Sequence, residues 1–241
     1  MQITIVTPTY NEAENLPKLV SALFALPLDL RVLVVDDNSP DGTGQVADEL
    51  SQTSPGRVSV LHRAGKLGLG SAYLEGFNKV LDEGAQAVVQ MDADFSHDPQ
   101  VLVEMVKRIE NADLVVGSRY TKGGAVDERW PLWRKGLSAF GNLYARTILG
   151  LPLHDVTTGY RLWRRNALMK IPLERIKSSG YVFLVEMVYL AHTLGLKVAE
   201  TPIYFSDRRW GKSKMSFKIQ MEAALRVWQV WWTYRDLRKR K

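Results

Sequence analysis

The residues QMDADFSHDP, positions 90–99, follow the apolar run AVV at positions 87–89. A short apolar run that ends in polar turn residues is typical of a buried strand, so Asp92 and Asp94 come where that strand ends. In an extended chain, side chains at i and i+2 point the same way and lie about 6.5 Å apart. Two carboxylates in this arrangement repel each other, and a divalent cation would remove the repulsion.

The same pattern recurs along the chain. Runs rich in β-branched residues alternate with helix-length amphipathic segments near 13–26, 43–52 and 70–84 and from Pro99 onward. The apolar runs are ITIVTP (3–8), RVLVVDD (31–37), RVSVLH (57–62), AQAVVQMDAD (85–94) and ADLVVGSR (112–119). Near-continuous apolar strands between helices predict an α/β fold with a mostly parallel, doubly wound sheet and helices on both faces.

Composition limits the functional classes. With 241 residues, 46% of them hydrophobic, the chain can form one large domain, and without cysteine it has neither disulfides nor thiolate metal sites. The net charge is +6, but residues 235–241 hold five basic side chains and one acidic one, so the body is nearly neutral. This distribution disfavours a nucleic-acid groove and favours a basic tail that contacts an anionic surface. The start MQITIVTPTY shows no secretion signal, and no apolar run reaches 18 residues, so we expect a cytoplasmic protein.

Polar residues follow four of the predicted strands. They are the segments 7–12, 36–37, 92–94 and 117–119. Because ligands bind at the carboxyl ends of strands in doubly wound sheets, we expect these segments to share one rim. Mg²⁺ takes one or two carboxylates and completes its shell with water and substrate phosphates, which suits Asp92 and Asp94. The alternative is that Asp94, Ser96 or Asp98 only caps the helix that opens at Pro99.

Two other stretches bear on nucleotide binding. TPTYNE (7–12) offers backbone donors, an aromatic face and a carboxylate, and a carboxylate after the second strand, here Asp36 or Asp37, commonly contacts a ribose or a base. The glycine-rich stretch GKLGLGSAYLEG (65–76) matches neither Gly-x-Gly-x-x-Gly nor a P-loop. A dinucleotide fold or P-loop is therefore not expected, and Ser71 is expected to cap a helix.

Together these motifs resemble those of the dolichyl-phosphate or polyprenyl-phosphate mannosyltransferases, which are inverting glycosyltransferases of the GT-A fold. The resemblance covers the chain to about residue 216. The matching stretches, in order, are TPTYNEAENLP (7–17), VVDDNSPDGT (34–43), KLGLGSAY (66–73), QMDADFSHDP (90–99), GSRY (117–120), DVTTGYRL (155–162), KSSGYVFLVEM (177–187) and DRRWGKSK (207–214). We therefore expect a GT-A domain over 1–215 and a C-terminal amphipathic basic helix over 216–241.

The resemblance also implies roles for individual residues. The residues implied to hold the guanosine of GDP-mannose are Pro8, Tyr10, Glu12, Val35 and Asp37. Those implied to hold the ribose and an Mg²⁺ or Mn²⁺ ion on the diphosphate are Asp92, Ala93 and Asp94, with Ser96 where a relative can offer a Gln ligand. The implied phosphate-binding cations are Arg119, Arg208 and Lys214, and the pair implied to hold the acceptor phosphate is Arg134 and Ser138.

The implied reaction moves mannose from GDP to the phosphate of a long-chain polyprenol with inversion, giving a β-linked product. A phosphate monoester has a second pKa of about 6, so it is largely dianionic near neutral pH and needs no general base. This agrees with the lack of a convincing catalytic base among the histidines. His97, beside the carboxylates, is the exception to test, and we expect a capping or core role for it. The resemblance implies that the metal ion and the cationic side chains catalyse the reaction. They stabilise the GDP leaving group and bring the anionic donor and the anionic acceptor phosphate together.

The C-terminal segment from 216 onward predicts an amphipathic helix. Its apolar face is formed by Phe217, Met221, Ala224, Leu225, Trp228, Trp231 and Trp232, and its polar face by Lys218, Glu222, Arg226, Gln229 and Thr233. Tryptophans beside a cationic tail suit a membrane surface, so we expect peripheral association with the cytoplasmic face of a membrane. A last helix packed on the sheet is the alternative, and a membrane-anchoring subunit could use the same surface. The segment 132–153 is a second amphipathic, basic stretch that could hold the prenyl chain.

Three rival functions remain open at this point. UDP-glucose or another sugar nucleotide could be the donor, because the nucleoside contacts are generic. DADFS (92–96) also approximates the nucleophile motif of Mg²⁺-dependent phosphohydrolases, although that motif usually follows the first strand. The third rival is a non-catalytic module that binds nucleotide or docks on a membrane.

Overall fold

The structure is a computed structural model that describes residues 1–207 and 217–238, with only the backbone for 217–222. Its strands are β1 (Ile3–Thr9), β2 (Leu30–Asp36), β3 (Val58–His62), β4 (Ala87–Gln90), β5 (Leu114–Ser118), β6 (Ala125–Val126), β7 (Arg161–Arg164), β8 (Val198–Pro202) and β9 (Tyr204–Phe205). Its helices are α1 (Leu16–Phe24), α2 (Thr43–Thr53), α3 (Leu69–Asp82), α4 (Val101–Ile109), α5 (Leu132–Leu149), α6 (Arg165–Leu168), α7 (Tyr181–Thr193), α8 (Phe217–Thr233) and α9 (Arg235–Arg238), with a 3₁₀ turn at Leu173–Arg175.

The described strands form a seven-stranded sheet in the order β3-β2-β1-β4-β7-β5-β8, and β6 and β9 form a separate two-stranded ribbon. The strands predicted from the apolar runs are present and pair in parallel within the β3-β2-β1-β4 half. The expected α/β architecture with a mostly parallel sheet is therefore confirmed. One strand differs, because β7 lies between β4 and β5 and is antiparallel to both.

Hydrophobic cores cover both faces of the sheet. One core packs α1, α2 and α4 on one face, and the other packs α3, α5, α7 and α8 on the opposite face. The strands β1, β2, β4 and β5 are buried on both sides, which explains their near-continuous apolar sequences. Helix α3 approaches the sheet closely at Gly76, where a Cβ would lie 2.5 Å from Val6 Cγ1.

The C-terminal helix α8 packs against α5 and α7. Val227, Val230 and Tyr234 are buried in the core that includes α7. Tyr234 donates a hydrogen bond to Glu186 of α7 at 2.7 Å, and Arg175 pairs with Asp236 at 2.9 Å. The helix is thus attached to the body of the fold.

Candidate active site

The two carboxylates of the opening motif lie in the loop that follows β4, residues 91–98, here called the acidic loop. Asp94 is buried and its Oδ1 accepts a hydrogen bond from the Ser96 backbone N–H at 3.0 Å. Phe95, between Asp94 and Ser96, has a φ of 60°. This left-handed conformation is uncommon for a bulky residue, and such conformations concentrate at functional sites. Helix α4 starts only at Val101, so Asp94 and Ser96 do not cap it; Asp98 instead bonds the Gln100 N–H at 2.9 Å.

Asp92 is held by two buried neighbours. Its backbone N–H donates to Nδ1 of His97 at 3.2 Å, and the Tyr73 hydroxyl donates to its Oδ1 at 3.4 Å. Burial lowers the pKa of His97 even though Asp92 and Asp94 oppose that shift, so the ring is neutral. Because Nδ1 accepts, the proton of the neutral ring lies on Nε2. His97 also stacks on Tyr160 with ring centroids 5.0 Å apart, which places it in the core as expected.

The donor set of the acidic loop fits a divalent cation that the substrate helps to hold. Ser96 Oγ is buried and makes no hydrogen bond to the described part of the chain. Within that part, no cluster of three or more His, Cys, Asp or Glu side chains suits a metal by itself. The protein therefore offers two carboxylates and a hydroxyl, the incomplete oxygen shell that Mg²⁺ completes with substrate phosphates and water.

Arg119 follows β5 on the same rim and is held by a carboxylate that sequence analysis missed. Its Nε and Nη2 donate to the two oxygens of Asp155 at 2.7 and 2.9 Å, and its backbone N–H also bonds Asp155. Thr157 adds an acceptor for Nη2 at 2.6 Å. Burial alone would raise the pKa of Asp155, but the Arg119 charge together with the hydrogen bonds from Arg119 and the Thr157 backbone outweighs it, and the pKa lies below its usual value. Arg119 is thus a fixed, permanently charged group at the rim.

At the β1 and β2 end, a second buried ion pair stands beside the predicted nucleoside site. Arg63 pairs with Asp37 and donates to Ser71 at 2.7 Å. Burial raises the pKa of Asp37, and the Arg63 charge opposes that rise. The Lys66 ammonium lies 3.8 Å from the Tyr10 ring centroid. The structure therefore adds two cations, Arg63 and Lys66, that sequence analysis did not single out.

The remaining predicted nucleoside residues lie on or after the same two strands. Pro8 and Val35 are partners in the β1–β2 register. The Val35 side chain is fully buried in the core, so a ligand at the rim could contact only its backbone. The Glu12 carboxylate accepts from Asn15 Nδ2 at 2.8 Å, which fixes its position at the start of α1. Ala93 is buried in the acidic loop.

Arg134 and Ser138 lie in the first turns of α5. The Arg134 guanidinium stacks 3.7 Å from the Trp130 ring centroid and pairs with Asp207 at 3.1 Å. Ser138 Oγ lies 2.7 Å from the Tyr120 hydroxyl, and Tyr120 follows Arg119 in the chain. Ser138 is therefore connected to the rim through Tyr120, whereas Arg134 contacts Trp130 and Asp207. Arg208 and Lys214 lie outside the described residues.

An apolar surface extends from the rim along α5 and α8. We call it the apolar platform, and its exposed members are Leu132, Trp133, Phe140, Leu143, Leu225, Trp228 and Trp232. The two helices are joined by Tyr144, which donates to the Ala224 carbonyl at 3.2 Å and accepts from Trp228 Nε1 at 3.0 Å. Trp231 packs on the core instead, so the described part of the predicted apolar face, from Ala224 to Trp232, is partly buried and partly exposed. The side chains of Phe217 and Met221 lie outside the described part. In the described part of the chain, no helix is both long and apolar enough to cross a membrane.

Comparison with known proteins supplies the family. The model of the family described as "Glycosyl transferase family 2" matches residues 4–172. The chain belongs to glycosyl transferase family 2. It is a glycosyltransferase, and the interpretation of Asp92 as the nucleophile of a phosphohydrolase is not retained.

Two relatives within this glycosyltransferase family are closely similar over most of the chain. The polyprenol monophosphomannose synthase of Mycolicibacterium smegmatis is 46% identical over 224 residues, which cover 92% of this chain and 84% of the relative. The undecaprenyl-phosphate mannosyltransferase of Micrococcus luteus is 45% identical over 227 residues, which cover 94% and 93%. The resemblance to polyprenyl-phosphate mannosyltransferases is therefore confirmed.

Solved structures support the GT-A fold of this glycosyltransferase. Glucosyl-3-phosphoglycerate synthase from Mycobacterium tuberculosis in complex with Mn²⁺ and UDP-glucose has a TM-score of 0.65 at 19% identity, over 95% of this chain and 77% of that chain. The same enzyme with Mn²⁺, UDP and glucosyl-3-phosphoglycerate has a TM-score of 0.65 at 18% identity, over 95% and 78%. At this identity the similarity establishes the fold alone.

Proposed function

We propose that this glycosyltransferase moves a mannosyl group from GDP-mannose to a polyprenyl phosphate with inversion. An oxygen of the acceptor phosphate forms a bond to the anomeric carbon, and the bond from that carbon to the diphosphate breaks, so GDP leaves. Attack from the face opposite the leaving group converts an α-linked donor into a β-linked product. The relatives at 45% and 46% identity, whose names specify polyprenyl-phosphate mannosyl transfer, support this assignment.

The acidic loop and Arg119 carry the proposal, because they place carboxylates and a fixed cation on one rim. Asp92 and Asp94, with Ser96 beside them, would hold Mg²⁺ or Mn²⁺ on the donor diphosphate. A divalent cation bound there neutralises the charge that develops on the leaving group. The structural neighbours in complex with Mn²⁺ support this role. Arg119 would contribute a second positive charge to the diphosphate, and Arg208 and Lys214 are proposed as further cations.

The nucleoside is assigned to the β1–β2 end of the rim. Tyr10 offers an aromatic face with Lys66 stacked on it, and Asp37 offers a carboxylate that Arg63 orients. Pro8, Glu12 and Val35 complete the proposed contacts, with Val35 acting through its backbone. UDP-glucose remains the rival donor.

The acceptor phosphate is assigned to Arg134 and Ser138 at the start of α5. Both residues lie where the apolar platform meets the rim, so a phosphate held there would leave its prenyl chain along α5 and α8. Arg235 stacks on Trp232 with its guanidinium 4.2 Å from the ring centroid, which places a cation beside an exposed aromatic ring. Tryptophans flanked by cations suit the bilayer interface. The platform would rest on the cytoplasmic face of a membrane, and a membrane-anchoring subunit could bind the same surface.

One transfer assay tests the donor, the metal and the acidic loop together. Purified protein is incubated with polyprenyl phosphate and either labelled GDP-mannose or labelled UDP-glucose, with Mg²⁺ or Mn²⁺ and with or without EDTA. Label should enter the lipid phase from GDP-mannose only, and EDTA should abolish the transfer. Asp94→Asn should lose at least a hundredfold in rate, whereas the matched control Asp98→Asn, an exposed acid of the same loop, should retain it. Transfer from UDP-glucose in preference to GDP-mannose, or an active Asp94→Asn variant, would contradict the proposal.

A further inference from the structure

Arg161, the first residue of β7, is a fully buried arginine to which the proposed mechanism assigns no role. Its Nη2 donates to the Val156 carbonyl at 3.2 Å, while Nε and Nη1 have no hydrogen-bond partner in the described part of the chain. Burial lowers the pKa of its guanidinium to about 9, and the charge of Asp155 partly offsets that shift. A buried charge with unpaired donors opposes folding. Its presence therefore needs a reason other than stability.

The β-sheet register places Arg161 beneath the acidic loop. Arg161 is the antiparallel partner of Gln90 in β4, and directly opposite residues share a face of the sheet. Gly159 precedes Arg161 by two residues and Asp92 follows Gln90 by two, so both lie nearer the rim. A Cβ on Gly159 would lie 3.7 Å from Asp92 Oδ1. The Arg161 side chain thus lies about one pleat further into the fold than the Asp92 carboxylate.

Tyr73 of α3 contacts the Asp92 carboxylate from within the core. It is fully buried, its ring is stacked on Phe183 with centroids 5.9 Å apart, and its hydroxyl donates to Asp92 Oδ1. Burial raises the pKa of Tyr73 well above its usual value, the negative charge of Asp92 adds to the rise, and the positive charge of Arg161 opposes it. The phenol is therefore neutral and remains a donor to the carboxylate.

Arg161 also contacts the segment that holds Arg119. Val156, whose carbonyl it binds, stands between Asp155 and Thr157, and both of these side chains accept hydrogen bonds from Arg119. One buried side chain therefore lies behind the two charged parts of the rim, the carboxylate of Asp92 and the guanidinium of Arg119.

We propose that Tyr73 and Arg161 are positioning residues for sugar transfer, with Tyr73 orienting the Asp92 carboxylate and Arg161 supporting both Tyr73 and the Arg119-binding segment from beneath the rim. This inference rests on the proposed role of the acidic loop in binding metal and donor. It assigns a function to a buried charge that the fold itself does not require.

Mn²⁺ binding, measured by electron paramagnetic resonance on the full chain with GDP present, tests the Tyr73 part. Tyr73→Phe removes only the hydroxyl, and loss of such an outer hydrogen bond typically weakens metal affinity by about 10-fold to 100-fold. We expect a rise of about tenfold in the Mn²⁺ dissociation constant and a fall in kcat. Tyr189→Phe, a buried tyrosine of α7 in the same core, is the matched control and should change neither. An unchanged Mn²⁺ affinity in Tyr73→Phe would overturn this part.

Thermal unfolding and kinetics of Arg161→Met and Arg161→Lys test the second part. Replacing a side chain that served only the fold would lower the melting temperature and leave kcat of the remaining folded protein unchanged. For a positioning residue, we expect Arg161→Met to keep or raise the melting temperature while kcat falls at least tenfold, and Arg161→Lys to recover part of kcat. A lower melting temperature with unchanged kcat in the remaining folded protein would overturn the assignment.

The wild-type titration separates failure of this inference from failure of the proposed function. If wild-type protein binds no Mn²⁺ in the presence of GDP, the metal role of the acidic loop fails and the inference falls with it. If wild type binds Mn²⁺ and both Tyr73→Phe and Arg161→Met bind it equally and turn over normally, the positioning role alone is wrong.

Discussion

Replacing Asp155 by Asn should both destabilise the protein and disable the rim. Asp155 is fully buried and accepts three hydrogen bonds from Arg119, two of them from the guanidinium. An asparagine would turn an NH₂ group toward those donors and leave the Arg119 charge buried without its partner. Removing one member of a buried ion pair costs about 3–5 kcal/mol. For a protein of this size, each kcal/mol lowers the melting temperature by about 2–4 °C, so we expect a decrease of about 6–20 °C.

Differential scanning fluorimetry and the lipid transfer assay measure the two effects. Glu83→Gln, which breaks the exposed Lys79–Glu83 pair, is the control and should cost less than about 0.5 kcal/mol. The pKa of Asp155 is lowered in the folded state, so its contribution is present above the unfolded pKa of about 4 and is lost as the pH falls below that value. Asp155→Asn should therefore lack this part of the acid sensitivity. A melting temperature within about 2 °C of wild type, with normal transfer, would refute the role of the pair.

Three further predictions concern packing, acceptor binding and the membrane. Gly70→Ala places a Cβ 2.6 Å from the Ser178 carbonyl oxygen, so we expect a lower melting temperature. Because the neighbouring Ser71 accepts a hydrogen bond from Arg63, which pairs with Asp37, the KM for the donor should also rise. Asp207→Asn removes the partner of Arg134 in a partly exposed ion pair that contributes at most about 1 kcal/mol. Arg134 would then be available to the acceptor, so the KM for polyprenyl phosphate should fall by up to about fivefold. A higher KM would contradict the assignment of Arg134 to the acceptor. Trp133→Ser, at a platform residue that is 69% exposed, should reduce sedimentation with anionic liposomes without changing the melting temperature, and equal sedimentation would argue against the platform as a membrane contact.

The part of the site that could be predicted from sequence lies directly after parallel strands. The first polar residues after an apolar run mark the end of a buried strand. The positions of Asp37, Asp92 and Arg119 on one rim therefore followed from the strand pattern and from the rule that ligands bind at the carboxyl ends of strands in doubly wound sheets. The acidic loop was predicted for the same reason. The hypothesis that Asp94 caps a helix failed because the chain makes a tight turn at Phe95 before α4 begins.

The partners of these residues could not be predicted, because they are distant in sequence. Asp155 is 36 residues from Arg119, and Arg63 is 26 from Asp37. β7 is four residues long, and no local pattern reports that it inserts between β4 and β5 in the opposite direction. Arg161 was hidden for another reason, since a charged residue in a strand is normally expected to face solvent. The motif DVTTGYRL contains both Asp155 and Arg161, but the sequence does not show which residues either of them contacts.

The attachment of α8 to the catalytic body has a geometric consequence for a lipid substrate. Tyr234 and Glu186 bind the end of this helix to α7, and Tyr144 joins it to α5, which carries Arg134 and Ser138. If the platform rests on a bilayer, the depth of the protein in the head groups sets the height of the reaction centre above the hydrocarbon. Acceptors would then be selected by how far their phosphate protrudes from the membrane. This selection would depend on the lipid surface and not on the residues that contact the phosphate.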